Sequence, residues 1–302
     1  MEELYTLQPG RALPPVRSAL FVPAIRRDLL DKALRTGADA LILDLEDSVP
    51  EARKDEACAV LRGWLDGLDA AAPVLVVRIN GLALGRLAAD LAVCVHPRVT
   101  AVMAPKAESV ADVLAVDSAL GVQEELSGRA AGSTLIWPIV ETAGAVRVAF
   151  EIATCSPRVV AFMGGSAGDA GDLAASVGFE WSDDFTETLF IRSKVLVDVR
   201  AAGVRNPISG VVTDLRSLDQ VERFALQSRT LGYEGMMVIH PSHVAVVNRV
   251  FRPSEQRVAW AHGVLQALAD AEREGSAAIR FDGQMVDIAM AAWARRVLEA
   301  AR

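Results

Sequence analysis

The chain has 302 residues, 52 % hydrophobic and 23 % charged, with a formal net charge of −8. That is the balance of a globular protein long enough for one large core or two smaller ones; the acidic excess excludes a general nucleic-acid binder, which needs a basic face, and no apolar run approaches the ~18–20 residues that span a bilayer. The first fifteen residues carry Glu2 and Glu3 without the basic-then-apolar order of a secretory signal, so a cytoplasmic location is expected, and Cys58, Cys94 and Cys155 are too scattered for a metal pair or a required disulfide.

In chain order, eight short apolar runs read as strands: Ala19–Pro23, Ala40–Leu43, Val74–Val77, Ala101–Ala104, Leu135–Val140, Val159–Met163, Gly210–Val212 and Met236–Ile239. Helical segments follow them, over Asp28–Arg35, Glu51–Leu68, Leu84–Val95, Ser109–Leu120, Ala145–Thr154, Glu187–Ala202, Ser217–Leu231 and Ser242–Val250. Gly37, Gly203 and Gly232 stand where helices must stop before the next strand. Apolar strands alternating with helices imply a parallel sheet covered on both faces, and eight such units predict an α/β fold of the closed (β/α)8 barrel type over residues 1–252. Residues 253–302 read as a helical extension. Ser254 is placed to cap a helix over Arg257–Glu274, Gly275 ends it, Ile279–Gly283 makes an extended turn, and Met285–Ala301 is a last helix. The extension is expected to pack on the barrel or reach a neighbouring subunit.

The chemistry-bearing residues stand at the strand ends, where a barrel gathers its active site. Glu141 closes the fifth strand and Asp172 follows the sixth; two carboxylates, with water and substrate oxygens completing the shell, suit Mg²⁺. A lone glutamate there would otherwise read as a favourable charge at a helix N-terminus. The loop Gly164–Asp172 holds four glycines and two aspartates; it matches no nucleotide-binding pattern and reads as the loop presenting an aspartate, Asp172 first and Asp169 in reserve. Arg78 ends the third strand, suited to a carboxylate or developing enolate, or alternatively to an ion pair with Asp44 or Glu46. Asp44, Glu46 and Asp47 form an acidic cluster that supports Arg78 or metal-bound water. Lys106 is a candidate Schiff-base lysine, a role that an adjacent metal site disfavours. His240 and His243, flanking Pro241, read as structural.

Several stretches, in order, carry a resemblance. They are Arg17-Ser18-Ala19-Leu20-Phe21-Val22-Pro23, Leu43-Asp44-Leu45-Glu46-Asp47-Ser48-Val49, Val77-Arg78-Ile79-Asn80, Pro105-Lys106, Val140-Glu141-Thr142-Ala143, Asp172-Leu173-Ala174-Ala175-Ser176-Val177-Gly178, Ile239-His240-Pro241-Ser242 and Gly283-Gln284-Met285-Val286-Asp287. Over about residues 16 to 300 the chain resembles the citrate lyase beta-subunit-like family, within the HpcH/HpaI aldolase/citrate lyase superfamily. That family includes citryl, malyl, methylmalyl and citramalyl thioester lyases on a β/α barrel, commonly Mg²⁺-dependent and trimeric or hexameric.

The resemblance implies that Glu141 and Asp172 bind Mg²⁺, and that Arg78 holds substrate and stabilises a thioester enolate. It implies that Phe21 and Lys32, with Arg26 and Arg27 nearby, touch coenzyme A, and that Asp287 is the acid/base group, delivered by the tail to a neighbouring subunit. Ala24, Cys58 and Met236 depart from the family's usual residues, which leaves the acyl group and its carrier open. The implied reaction cleaves or forms the carbon–carbon bond of a 3-hydroxyacyl-CoA thioester such as malyl-CoA or citramalyl-CoA, giving a 2-oxo acid and acetyl-CoA, in a homotrimer or hexamer. Three rival readings stand beside it: a metal-dependent aldolase on free 2-oxo acids, a thioesterase on the same substrates, and a non-catalytic acyl-CoA-binding subunit.

Overall fold

Alternation within the strands decides the architecture. The computed structural model describes residues 15–68, 72–164, 171–273 and 279–301. Eight strands lie parallel, each beside the next: β1 (Ser18–Pro23), β2 (Ala40–Asp44), β3 (Val74–Arg78), β4 (Ala101–Ala104), β5 (Leu135–Val140), β6 (Ala161–Gly164), β7 (Asn206–Ser209) and β8 (Gly235–Val238). β8 pairs back onto β1, closing a TIM barrel. Successive side chains of a strand point to opposite faces. Ala19, Ala40, Ile42, Val76, Met103 and Trp137 therefore fill the lumen. Their neighbours Leu20, Leu41, Leu43, Val77, Val102 and Ile136 join a second core beneath the helices. Both faces are apolar, which is why these strands read as unbroken hydrophobic runs.

The outer layer is α1 (Arg27–Ala33), α2 (Lys54–Asp66), α3 (Leu87–Cys94), α4 (Val110–Leu126), α5 (Ala143–Arg147), α6 (Ala149–Thr154), α7 (Asp172–Val177), α8 (Thr186–Ala201), α9 (Leu218–Leu231) and α10 (Pro241–Phe251). Gly37, Gly203 and Gly232 all take positive φ (76°, 83° and 113°), the left-handed turn that ends a helix at no Cβ cost. Opposite the mouth, the buried Arg158 guanidinium binds Glu124 (2.7 Å), Asp117 (2.6 Å) and the Thr134 carbonyl (2.8 Å), tying α4 to the entries of β5 and β6. Among the described residues no helix is long and apolar enough to cross a membrane.

Within the barrel the structure departs from expectation in four places. The seventh strand is Asn206–Ser209, not Gly210–Val212: a gap between β6 and β8 must be filled, and main-chain pairing to both neighbours fills it although Asn206 and Ser209 are polar. The sixth strand starts at Ala161, and Val159 makes only an isolated bridge to Ile136. The helix expected over Ala145–Thr154 is two helices, broken at Val148 (φ −113°, ψ 26°). Asp172 opens a short helix, α7, that the pattern did not predict. Asp169 and its neighbours 165–170, and Gly275, lie outside the described residues.

Beyond the barrel, Ser254 accepts the Arg257 N–H (3.2 Å) and starts α11 (Glu255–Arg273). Instead of a simple turn, β9 (Ile279–Phe281) and β10 (Gln284–Val286) pair as an antiparallel hairpin, with Asp282 and Gly283 at φ 44° and 78°. The last helix, α12 (Ile288–Ala300), begins three residues later than expected, because the Asp287 carboxylate accepts the Met290 N–H (3.3 Å) and caps it. Ala261, Val264, Val286, Ala294 and Val297 give this extension a small core of its own.

Barrel closure makes one glycine indispensable. A Cβ on Gly235, at the start of β8, would stand 2.1 Å from the Val16 carbonyl oxygen and 2.8 Å from that of Arg17, both backbone atoms. Gly235→Ala is expected to destabilise the fold by about 3 kcal/mol or more, measured as a fall in the urea midpoint; an unchanged midpoint would show that residues 16–17 shift aside freely.

Candidate active site at the barrel mouth

Strand parity builds the site. In β2 the lumen residues Ala40 and Ile42 are followed, one inward step on, by Asp44. In β3, Val74 and Val76 are followed by Arg78, and in β5, Leu135, Trp137 and Ile139 by Glu141. The same period that fills the lumen with apolar side chains therefore sets these charged ones above it, at the strands' C-terminal ends.

Asp44 and Arg78 are in register on adjacent strands. The guanidinium donates to both carboxylate oxygens, Nε to Oδ1 (2.7 Å) and Nη2 to Oδ2 (2.8 Å). Burial alone would raise the Asp44 pKa, but these bonds outweigh it and hold the carboxyl below its ordinary range. The guanidinium is pushed further into its charged form for the same reason. Asp44 also accepts the N–H groups of Glu46 (2.9 Å) and Ser48 (3.1 Å), shaping the loop that follows β2. Lys54 clamps that loop from α2, donating to the carbonyls of Leu45 (2.8 Å) and Glu46 (2.7 Å).

The loop turns two more carboxylates onto Arg78. Asp47 accepts from Nη1 at 3.2 Å. Glu46 Oε2 lies 3.0 Å from Nη1 but off its N–H direction, leaving a buried oxygen without a hydrogen bond. Arg78 is thus in the ion pair that its sequence position allowed, with Asp44, Glu46 and Asp47 together. It also lies over the Phe21 ring, 4.9 Å from the centroid.

Glu141 stands across the mouth, 6 % exposed. Its Oε1 accepts the Lys106 backbone N–H at 2.7 Å. The Lys106 ammonium reaches the other way, 3.5 Å from Glu46 Oε1 and 3.8 Å from Asp172 Oδ2. Asp172 is 45 % exposed at the start of α7. The Ala143 N–H, just after β5, donates to Ser176 in that helix (2.9 Å), which draws the two segments together. Burial raises the Glu141 pKa to about 7; the Lys106 N–H opposes the rise, while Glu46 and Asp172 add to it. Burial likewise raises Glu46 to about 6, against the pull of Arg78. Desolvation would lower the Lys106 pKa, but Glu46, Asp172, Asp47 and Glu141 together raise it, the opposite of what a Schiff-base lysine needs.

The remaining sequence candidates stand outside this cluster. Arg26 and Lys32 are exposed and share Asp28, at 2.9 and 3.5 Å. Asp287 caps α12 in the extension. Of the three departures, Cys58 lies 3.9 Å from Asp90 on the helical layer, Ala24 is buried, and Met236 packs into the strand–helix core. Lys54 and the backbone of Lys106 escaped the sequence reading: a lysine opening an amphipathic helix carries no mark of burial, and a main-chain donor carries no mark at all.

Five carboxylates (Asp44, Glu46, Asp47, Glu141 and Asp172) meet two cationic side chains here. The donors are all hard oxygens, one of them buried without a hydrogen bond, and burial raises Glu46 and Glu141 toward neutrality. Among the described residues no three His, Cys, Asp or Glu side chains converge as a complete cage. Hard oxygen donors suit Mg²⁺, which typically takes one or two carboxylates and completes its shell with water and substrate.

Residues 17–241 match the model of the HpcH/HpaI aldolase/citrate lyase family. The chain belongs to that family. It is accordingly a carbon–carbon lyase. It is similar to the citrate lyase subunit beta of Leuconostoc mesenteroides subsp. cremoris, at 32 % identity over 94 % of this chain and 93 % of the relative. It is similar also to the L-malyl-CoA/beta-methylmalyl-CoA lyase of Cereibacter sphaeroides, at 33 % identity over 94 % of each. Among solved structures, CitE of Mycobacterium tuberculosis in complex with magnesium, acetoacetate and coenzyme A superposes with a TM-score of 0.70 and 33 % identity, covering 96 % of this chain and 99 % of that one.

A buried carboxyl with a raised pKa gives a pH signature. Between its ordinary pKa of 4.5 and about 7, the native Glu141 keeps a proton that the unfolded chain has lost. Its contribution to stability is therefore greatest at low pH and is lost as pH rises through about 7. In EDTA, the thermal midpoint of the parent is expected to fall more steeply across that window than that of Glu141→Gln; parallel profiles would place the Glu141 pKa in the ordinary range.

Proposed function

We propose that this lyase cleaves, or forms, the carbon–carbon bond of a 3-hydroxyacyl-CoA thioester such as malyl-CoA or citramalyl-CoA, exchanging it for a 2-oxo acid and acetyl-CoA, with Mg²⁺ as cofactor. The observation that carries the reading is a half-buried guanidinium, fixed by Asp44, facing a set of oxygen donors across one barrel mouth. Support also comes from the similarity to proteins named for malyl-CoA and citrate cleavage, and from a relative's complex with magnesium, acetoacetate and coenzyme A.

In this reading Glu141 and Asp172 hold the Mg²⁺. When bound, the ion supplies Lewis-acid polarisation of the substrate's hydroxyl and carboxylate and a template that orients them. Arg78, pre-oriented by Asp44, stabilises the negative charge that gathers on the thioester oxygen as the bond breaks and the electron pair moves into an enolate. Asp287 takes the hydroxyl proton as the 2-oxo acid's carbonyl forms and returns it to the enolate carbon, which yields acetyl-CoA. Phe21 lines the mouth beneath Arg78, while Arg26 and Lys32 receive the phosphates of coenzyme A in exchange for Asp28.

Asp287 acts in a neighbouring subunit's mouth, in a homotrimer or hexamer. What supports this is the place of the later part of its helix: Arg296 of α12 lies within the electrostatic reach of Arg200, Glu234 and Arg205. Those residues precede β7 and β8, at the barrel end opposite the mouth. Residues 1–252 thus supply binding and charge, and residues 253–302 a proton-transfer group.

The test is to incubate the protein with malyl-CoA or citramalyl-CoA, with and without Mg²⁺ and EDTA, following 2-oxo acid, acetyl-CoA and free thiol together. EDTA-sensitive release of glyoxylate or pyruvate with acetyl-CoA is expected. Thiol without 2-oxo acid would mean thioester hydrolysis, and no product would favour free-acid substrates or a binding role. Glu141→Ala is expected to abolish metal-dependent turnover; activity within tenfold of the parent would remove it as a ligand. Asp287→Ala is expected to keep Mn²⁺ binding while losing ~10²–10⁴-fold in turnover, and unchanged turnover would place the proton donor elsewhere.

A further inference from the structure

The backbone at Lys106 is in an unusual place. Its φ is +50°, one of three non-glycine residues with positive φ among the described residues. An L-residue with a long side chain is strained there, and such strain persists only where the surroundings impose it. The surroundings are specific. β4 ends at Ala104, held in register with β5, and α4 begins at Val110. Between them the chain is pinned by a capping box: Ser109 Oγ accepts the Asp112 N–H (3.3 Å), and Asp112 Oδ2 accepts the N–H groups of Ser109 (2.9 Å) and Glu108 (3.0 Å). Pro105 removes a second donor and Ala107 is buried. The turn is left to Lys106.

What the strained turn achieves is a direction. It aims the Lys106 N–H at Glu141 Oε1, 2.7 Å away on the next strand, while the ammonium extends toward Glu46 and Asp172. A buried carboxylate otherwise rotates about its last bonds; a main-chain donor anchored at both ends of a five-residue loop does not move with it. We propose that Lys106 is a positioning residue: its left-handed backbone, rather than its charge, fixes one oxygen of Glu141 so that the carboxylate is pre-oriented for a divalent cation. This rests on the reading of Glu141 as a metal ligand.

The backbone and charge contributions separate by substitution. Lys106→Gly and Lys106→Val both remove the ammonium and both keep an N–H. Glycine takes positive φ without strain, whereas a β-branched residue resists it. Mn²⁺ affinity is measured by electron paramagnetic resonance on protein shown to be folded, with no substrate present. Lys106→Val is expected to bind Mn²⁺ about fivefold or more weakly than Lys106→Gly, and Lys106→Asn, which tolerates the left-handed region, to match the glycine variant. Equal affinities for the valine and glycine variants would overturn the proposal, because a role carried by the ammonium alone would treat them alike. Should Lys106→Val not fold, Lys106→Ala makes the same comparison with a smaller expected ratio. The metal reading fails separately: in that case the parent binds no Mn²⁺, or Glu141→Gln binds it as tightly as the parent.

Discussion

The mouth of this barrel is organised around one pair of hydrogen bonds, those from Arg78 to Asp44. A guanidinium at the end of an apolar strand is costly to bury unless it is matched by a carboxylate of good geometry. Register supplies the match, since Asp44 and Arg78 face one another on β2 and β3. The same carboxylate then accepts two N–H groups from the loop after β2, which carries Glu46 and Asp47 back toward the guanidinium. One aspartate thus fixes the cation, folds the loop and recruits two further acids. Removing it would leave a buried positive charge and an unsupported loop at once.

The price of this arrangement is an excess of negative charge. Five carboxylates crowd two cationic side chains, and burial, with neighbouring acids adding to it, raises Glu46 and Glu141 toward neutrality. A divalent cation would offset the excess and let both ionise. That tension, rather than any single ligand, gives the proposed Mg²⁺ site its physical rationale. It also accounts for Lys106, whose ammonium lies between two of the acids while its backbone holds a third.

The extension answers a different need. It has a core of its own, built on α11 and α12, with Phe281 of the hairpin packed against Gly263 and Arg257 stacked on Trp293 (4.2 Å). Arg296 of its last helix lies within the electrostatic reach of Glu234 and Arg200, at the barrel end remote from the mouth.

Much was legible in the sequence because hydrophobic period is a local property. Apolar runs marked seven of the eight strands to within a few residues, and the barrel and the strand-end positions of Asp44, Arg78 and Glu141 followed from them, while the family was legible only through the resemblance of the ordered motifs. The seventh strand was not legible, because Asn206-Pro207-Ile208-Ser209 has no apolar signature and is held by pairing to neighbours on either side. Nor was the break at Val148, or the start of α12, which a single side-chain cap at Asp287 moves along the chain. The sequence by itself determined which residue types stand at the strand ends and on which parity. Only the tertiary structure decided that Lys54 is buried, that Asp47 turns back onto Arg78, and that a backbone N–H at Lys106 meets Glu141. Those contacts join residues up to 35 positions apart through main-chain groups and loop geometry, which no residue type announces.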